Sequence, residues 1–217
     1  MHRFRLLAAA LCGAALTLAA AAPAGAAAKR VVALEWDALE NLSTLGVTAV
    51  GAADVAGYDK FVAVSRRGQP ADVGLRQSPS LDRIRKLKPD LIVVPDYRST
   101  QNLSALTKIA PVLVTHPYPA GGADAHYTAM LKDYRRIAKA VGRKAQGEQV
   151  IKTMTRAFTS VKKQLRRKGR SGITLSIATP GGTTSAPALR MSTGNSQAAS
   201  VLKRIGLRNG WNQGTPT

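Results

Sequence analysis

Acidic residues are scarce in this chain: 12 Asp and Glu stand against 32 Lys and Arg over 217 residues, a formal charge of +20. Cysteine is scarcer still. Cys12 is the only one, so neither a disulfide within the chain nor a cysteine-held metal can form. Beyond the N-terminal segment there are two histidines, His116 and His126. A zinc or iron site built on them would need a further ligand, and histidines in a Pro/Gly-rich loop such as this are more often solvated. The chain has no Gly-x-Ser-x-Gly elbow, P-loop or His-Glu-x-x-His motif, and "GAADVAG" at 51–57 has the wrong spacing for a dinucleotide fingerprint. These absences argue against an enzyme.

Residues 1–26 read as an export signal. Arg3 and Arg5 form a basic start, Leu6 to Ala22 an apolar run, and Ala24-Gly25-Ala26 a small-x-small cleavage site. Phe4 separates the two arginines, which excludes a twin-arginine signal. Leu11 precedes Cys12, where a lipid-anchored signal would place a small residue, so Cys12 reads as part of the apolar run. Removal of the segment takes two positive charges with it, leaving +18 and no thiol. The destination is the periplasm or the cell surface. A field of that sign favours anionic partners. The charge is concentrated between Lys132 and Arg170, where fourteen Lys and Arg face only Asp133 and Glu148. That stretch reads as a solvated helical face, with a polyanion-binding surface as the alternative.

The rest alternates between short apolar runs and helical periodicity. Val31–Leu34 predicts a buried strand, Leu39, Leu42 and Leu45 a helix stopped by Gly46, and 47–52 a second strand. Phe61–Val64 is the next apolar run. Leu81, Ile84 and Leu87 mark a helix capped by Ser80 and ended before Pro89, and Leu91–Val94 the strand after it. Asn102–Ile109 predicts a helix and Val112–Val114 a strand. Such alternation means a parallel sheet covered on both faces, an α/β lobe over 30–118. Linker helices follow over 123–169, the second of them long and free of proline. From 171 to 217 a second α/β lobe begins, with a strand at 172–179, a loop, "LRM", and a helix at 196–205. Its length suggests that it is incomplete.

In an open α/β sheet ligands sit beyond the carboxyl ends of the strands. There the sequence offers Trp36, Phe61, Tyr97 and Arg98, with Arg76 on a loop that shares the same rim. Aromatic walls and a planar guanidinium suit a small-molecule pocket. They equally suit aromatics covering core edges and an arginine in a surface ion pair, and composition does not separate the two. Glu35 and Asp37, two apart after the first strand, read as caps of the first helix.

The stretches "RVVALEW" (30–36), "LGVTAVGAADVAGYDKF" (45–61), "DVGLRQSPSLDRIRKLKPDLIVV" (72–94) and "GNSQAASVLKRIGLRNGWNQG" (194–214) resemble the exported substrate-binding proteins of iron–siderophore ABC importers, most nearly the ferric-hydroxamate branch. The resemblance implies two Rossmann-like lobes with parallel sheets, joined by one long rigid helix (read here at 148–168), with a shallow cleft between them. It implies a monomer that performs no catalysis, binds no nucleic acid and delivers a ferric siderophore to a membrane permease. Iron is coordinated by the siderophore, so the protein supplies no metal ligand and needs no cofactor. Arg76 would contact hydroxamate oxygens carrying partial negative charge, which requires it to face the gap rather than be locked to a neighbouring acid. Phe61 stands where the branch has a tryptophan. Tyr97 matches a cleft tyrosine within one residue, Arg98 being the alternative there, and Trp36 matches "ALEW". Asp82 stands where the first lobe's permease-docking glutamate is expected. Receptors of the same fold for heme, cobalamin or an anionic catecholate or citrate complex remain the alternative.

Overall fold

The computed structural model describes residues 27–99, 102–183 and 185–211; residues 1–26, read above as an export signal, lie outside them. Five strands, β1 (Val31–Ala33), β2 (Gly51–Ala52), β3 (Ala71–Asp72), β4 (Leu91–Pro95) and β5 (Val112–Thr115), form one sheet in the order β3-β2-β1-β4-β5. Every pairing in it is parallel. β1 and β4 are central and buried throughout, which is why they read as unbroken apolar runs. Their side chains divide with the period of two that a pleat imposes. Val31, Ala33, Leu91 and Val93 join Leu39, Leu42 and Ile137 in one cluster. Val32, Leu34, Ile92 and Val94 join Ile84 and Leu106 in the other. Each fully buried Val, Leu or Ile contributes about 1.5–3 kcal/mol, so the two clusters hold the lobe together without any covalent staple.

The crossover helices are α1 (Trp36–Thr44), α2 (Val55–Phe61), α3 (Leu81–Lys86), α4 (Asp96–Ser99) and α5 (Leu103–Thr107). The apolar run Phe61–Val64 forms no strand. Phe61 closes α2, whose N-terminus is capped by Asp54, and the third strand is Ala71–Asp72. Both residues of that strand are exposed, and a two-residue edge strand leaves no periodic signal.

Two long helices follow, α6 (Ala123–Ala140) and α7 (Lys144–Arg167). They cross closely at Gly147, where a Cβ would meet the Ala138 methyl at 2.8 Å and Leu45 of the first lobe at 3.5 Å. Gly147 and Ile151 are the buried residues of α7; the remainder, with its lysines and arginines, is half-buried or exposed. The chain then forms β6 (Thr174–Leu175), a hairpin of β7 (Ala178–Gly182) and β8 (Pro187–Met191), α8 (Gln197–Arg204) and β9 (Arg208–Asn209). β6 pairs with β9 in parallel and β7 with β8 antiparallel. Packing of α8 on α6 is reinforced by Asp124, paired with Lys203 at 2.6 Å and Arg204 at 3.2 Å, and by the Arg204 guanidinium lying 3.4 Å from the centroid of the Tyr127 ring. Among the described residues no helix is long and apolar enough to cross a membrane.

Candidate functional site

Beyond the carboxyl ends of β1, β4 and β5 lies a cavity of about 1100 Å³, closed on its far side by residues 190–197. Volume of this order suits a compact small-molecule complex. β1 delivers Glu35 to its wall, α1 delivers Asp37 and Glu40, α4 delivers Tyr97, and the segment after β5 delivers Tyr118. Arg76 arrives on the loop between β3 and α3. That loop turns at Gly74, whose φ of 100° a side chain rarely tolerates. The turn is fixed by hydrogen bonds from the Asp54 N–H to the Gly74 carbonyl and from the Gly74 N–H to Asp72.

The guanidinium of Arg76 is held from three sides. Its Nη1 donates to Glu35 Oε1 at 2.6 Å, its Nε donates to Asp54 Oδ2 at 3.1 Å, and its plane lies 3.6 Å from the centroid of the Trp36 ring. The expectation of an arginine clear of neighbouring acids is therefore corrected. The chain places two carboxylates on it because Glu35 follows β1 and Asp54 follows β2, both strands ending at this rim. Among the described residues Nη2 donates to none, so the outer edge of the fork remains available.

Glu35 is the hub. It is 5% exposed; its second oxygen accepts from the Tyr97 hydroxyl at 3.1 Å and from Arg98 Nε at 3.2 Å. Burial alone would raise its pKa. The hydrogen bond from Arg76, that from the Trp36 N–H, the Arg76 charge and the Arg98 hydrogen bond outweigh it and hold the carboxyl below its ordinary value. Arg76 is shifted up by the same pairing, against the desolvation that opposes its charge. Tyr97 is pushed well above the ordinary phenol range by burial and by the Glu35 charge. The sequence reading of Glu35 as a cap is half the account: it does accept from the Trp36 N–H, and it also organises three side chains.

Arg76 and Tyr97 both line the cavity. Trp36 and Phe61 stack on each other at 5.7 Å, outside its lining, with Trp36 backing Arg76. Trp36 is fixed by its Nε1 donating to the Asp54 carbonyl at 3.0 Å. Phe61 is 67% exposed. Arg98 is turned to Glu35 rather than to the cavity. Asp82 is exposed on α3 and pairs with Arg85 at 2.6 Å. Tyr118 and His126 had gone unassigned as site residues. Tyr118 packs against Tyr97 at 5.2 Å and against His126 at 6.5 Å, and all three line the cavity. The strand-end rule that selected Tyr97 after β4 selects Tyr118 after β5. Among the described residues no three His, Cys, Asp or Glu groups converge as a metal ion would need.

Part of the wall is acidic. Asp37 and Glu40 line it from α1 and Asp133 from α6. Asp133 is neutralised by Arg136 at 2.7 Å and accepts from the His116 N–H. Asp37 accepts from the Ala38 N–H at 2.7 Å, but burial and the charges of Glu35, Glu40 and Asp133 raise it to about 6. Burial raises Glu40 as well.

The family described as periplasmic binding protein matches residues 31–196. The chain is 28% identical over 180 residues to the Fe(3+)-citrate-binding protein YfmC of Bacillus subtilis, which covers 82% of this chain and 54% of that one. It is 38% identical over 65 residues to the iron(3+)-hydroxamate-binding protein FhuD of Escherichia coli, covering 30% and 22%. The crystal structure of the Fe3+–Desferal-bound siderophore-binding protein FhuD from Vibrio cholerae superposes with a TM-score of 0.74 at 26% identity, covering 85% of this chain and 68% of that one. The chain spans about half the length of the Bacillus subtilis relative and less of the Escherichia coli one.

Proposed function

Because the chain belongs to the periplasmic binding protein family, a family of exported substrate-binding proteins and not of enzymes, we propose that it captures a ferric siderophore, of the hydroxamate class, and presents it as a monomer to an ABC importer permease. The observation that carries this reading is a cavity large enough for such a complex, lined by Tyr97 and by Arg76, whose Nη2 edge is left without a partner among the described residues while Glu35 and Asp54 hold the other two nitrogens. Glu35, Asp54 and Trp36 fix the Arg76 plane beforehand, so its free edge meets hydroxamate oxygens with little further loss of side-chain freedom. Tyr97 and Tyr118 supply apolar surface for the organic shell. Iron stays inside the siderophore and is cargo. Asp82, exposed at the start of α3, is the proposed contact to permease arginines, for which Arg85 would have to release it.

The second reading is a ferric citrate complex. It is favoured by the citrate-binding relative, which matches most of this chain. The acidic wall opposes it, since a polyanionic complex would face Asp37 and Glu40.

Titration of the exported chain with ferrioxamine B and with ferric dicitrate, followed by quenching of tryptophan fluorescence, in a Trp211→Phe background so that Trp36 alone reports, tests both. The hydroxamate complex is expected to quench at micromolar concentration and the citrate complex not. Arg76→Ala is expected to weaken the hydroxamate complex by about 10–100-fold, the worth of one or two charge-assisted hydrogen bonds. No quenching by either complex, or an unchanged affinity in Arg76→Ala, refutes the assignment.

A further inference from the structure

Among the described residues, acids gather at the cavity of this basic chain. Of its 12 acids, four (Glu35, Asp37, Glu40 and Asp133) line a single cavity. Two of them are already answered: Glu35 by Arg76 and Arg98, Asp133 by Arg136. For Asp37 and Glu40 no described lysine or arginine comes within ion-pair distance. This holds although basic residues outnumber acids by more than two to one. Arg190 lines the far wall from β8 without reaching either carboxylate. The remaining titratable groups that face this space are Tyr97, Tyr118 and His126, and none of them is a permanent cation.

A second, independent feature lies in the same cavity. Thr115, the last residue of β5, is 3% exposed and its hydroxyl has no hydrogen-bond partner. Buried hydroxyls are almost always paired, and an orphan costs about 1–3 kcal/mol. Here the orphan belongs to a residue that lines the same cavity as Asp37 and Glu40.

Resting on the siderophore reading above, we infer that the Asp37–Glu40–Thr115 side of the cavity is a subsite for a protonated amine, so that the chain selects ferric complexes carrying a cationic arm over neutral and polyanionic ones. The three groups offer two carboxylates and a hydroxyl oxygen to the three donors of an ammonium. A bare metal ion is the poorer match, because no triad of metal-ligating groups forms among the described residues. The raised pKa of Asp37 agrees, since it marks a carboxylate without a counter-charge. The cavity thus divides its work: Arg76 takes the oxygens of the iron core, and the α1 wall takes the arm.

Two complexes with one iron core test this: ferrioxamine B, which carries a free ammonium, and its N-acetylated form, which does not. At pH 7.5 the full chain is expected to bind the first about tenfold more tightly, and Asp37→Asn/Glu40→Gln is expected to bring the ratio to about one. Equal affinities in the parent chain, or a preference that survives the double substitution, overturn the subsite. Pentylammonium chloride, which contains no iron, separates this from the failure of the siderophore reading. It is expected to lower the pKa of Asp37, followed by carboxyl-carbon NMR. Should neither ferric complex bind while pentylammonium still moves Asp37, the amine subsite stands and the iron reading falls. An unmoved Asp37 overturns the subsite.

Discussion

Replacing Asp37 by asparagine should make the protein more stable, and only at neutral pH. The native carboxyl titrates near 6 instead of its ordinary 3.8 because it is desolvated and faces Glu35, Glu40 and Asp133. An acid whose folded-state pKa is raised contributes its stability below the unfolded value, loses it as pH climbs from about 4 to 6, and contributes none of it above. At about 1.4 kcal/mol per pKa unit, the ionised carboxylate forfeits about 3 kcal/mol. Asparagine retains an oxygen for the Ala38 N–H, so the local hydrogen bond is kept. Loss of a favourable charge in the first turn of α1 takes back about 0.3–1 kcal/mol. For a chain of this size 1 kcal/mol corresponds to about 2–4 °C. The melting temperature of Asp37→Asn, read by circular dichroism, should therefore exceed that of the parent by about 4–11 °C at pH 7.5 and by about 0 °C at pH 4. Groups remote from Asp37 titrate alike in both proteins and cancel in the difference; Glu35, Glu40 and Asp133, which face it, are relieved of its charge in the variant, which adds in the same direction. A difference that is flat with pH, or a variant less stable at pH 7.5, would refute the reasoning.

Gly57→Ala should disturb the clamp on Arg76 without touching it, because a Cβ there would stand 2.5 Å from both Trp36 and Asp54. Overpacking of about 1–3 kcal/mol exceeds the gain of up to about 1 kcal/mol from alanine in a helix; urea denaturation should show a net loss, together with shifted Trp36 emission. Tyr58→Phe removes a buried hydroxyl that donates to the Val64 carbonyl at 2.8 Å. It should cost about 1–3 kcal/mol by the same measurement, since the carbonyl loses its donor.

The central architecture was legible because β1 and β4 are buried on both faces, and such strands announce themselves as runs of Val, Ile and Leu. Edge strand β3 was not, since Ala71 and Asp72 are exposed and carry no alternation. α2 was passed over for a related reason: its 7 residues include a glycine and bury only Tyr58. Among the site residues, Arg76 and Tyr97 were found by the strand-end rule and by resemblance, and both line the cavity. Tyr118 obeys the same rule but was not singled out, its loop having been read only for its two histidines. The sequence could not disclose that Glu35 gathers Arg76, Arg98 and Tyr97, for these lie 41, 63 and 62 positions away. Net charge pointed the wrong way locally. The +20 total sits mainly on the outer helices, while a third of the acids turn inward to one cavity.

The crossing at Gly147 reaches further than its neighbourhood. From that point α7 runs on for 20 residues, about 30 Å, to Arg167; 15 residues along, at about 22 Å, Lys162 rests against the Gly206 turn that ends α8. A rod pivoted near one end behaves as a lever: a tilt of about 5° at the pivot carries its tip about 2.6 Å. Lys162, three quarters of the way along that rod, abuts the segment whose start, 190–197, borders the cavity. A methyl group added at Gly147 would have to push against Ala138, so Gly147→Ala should tilt α7 and, through Lys162, shift that border from a place remote from any ligand.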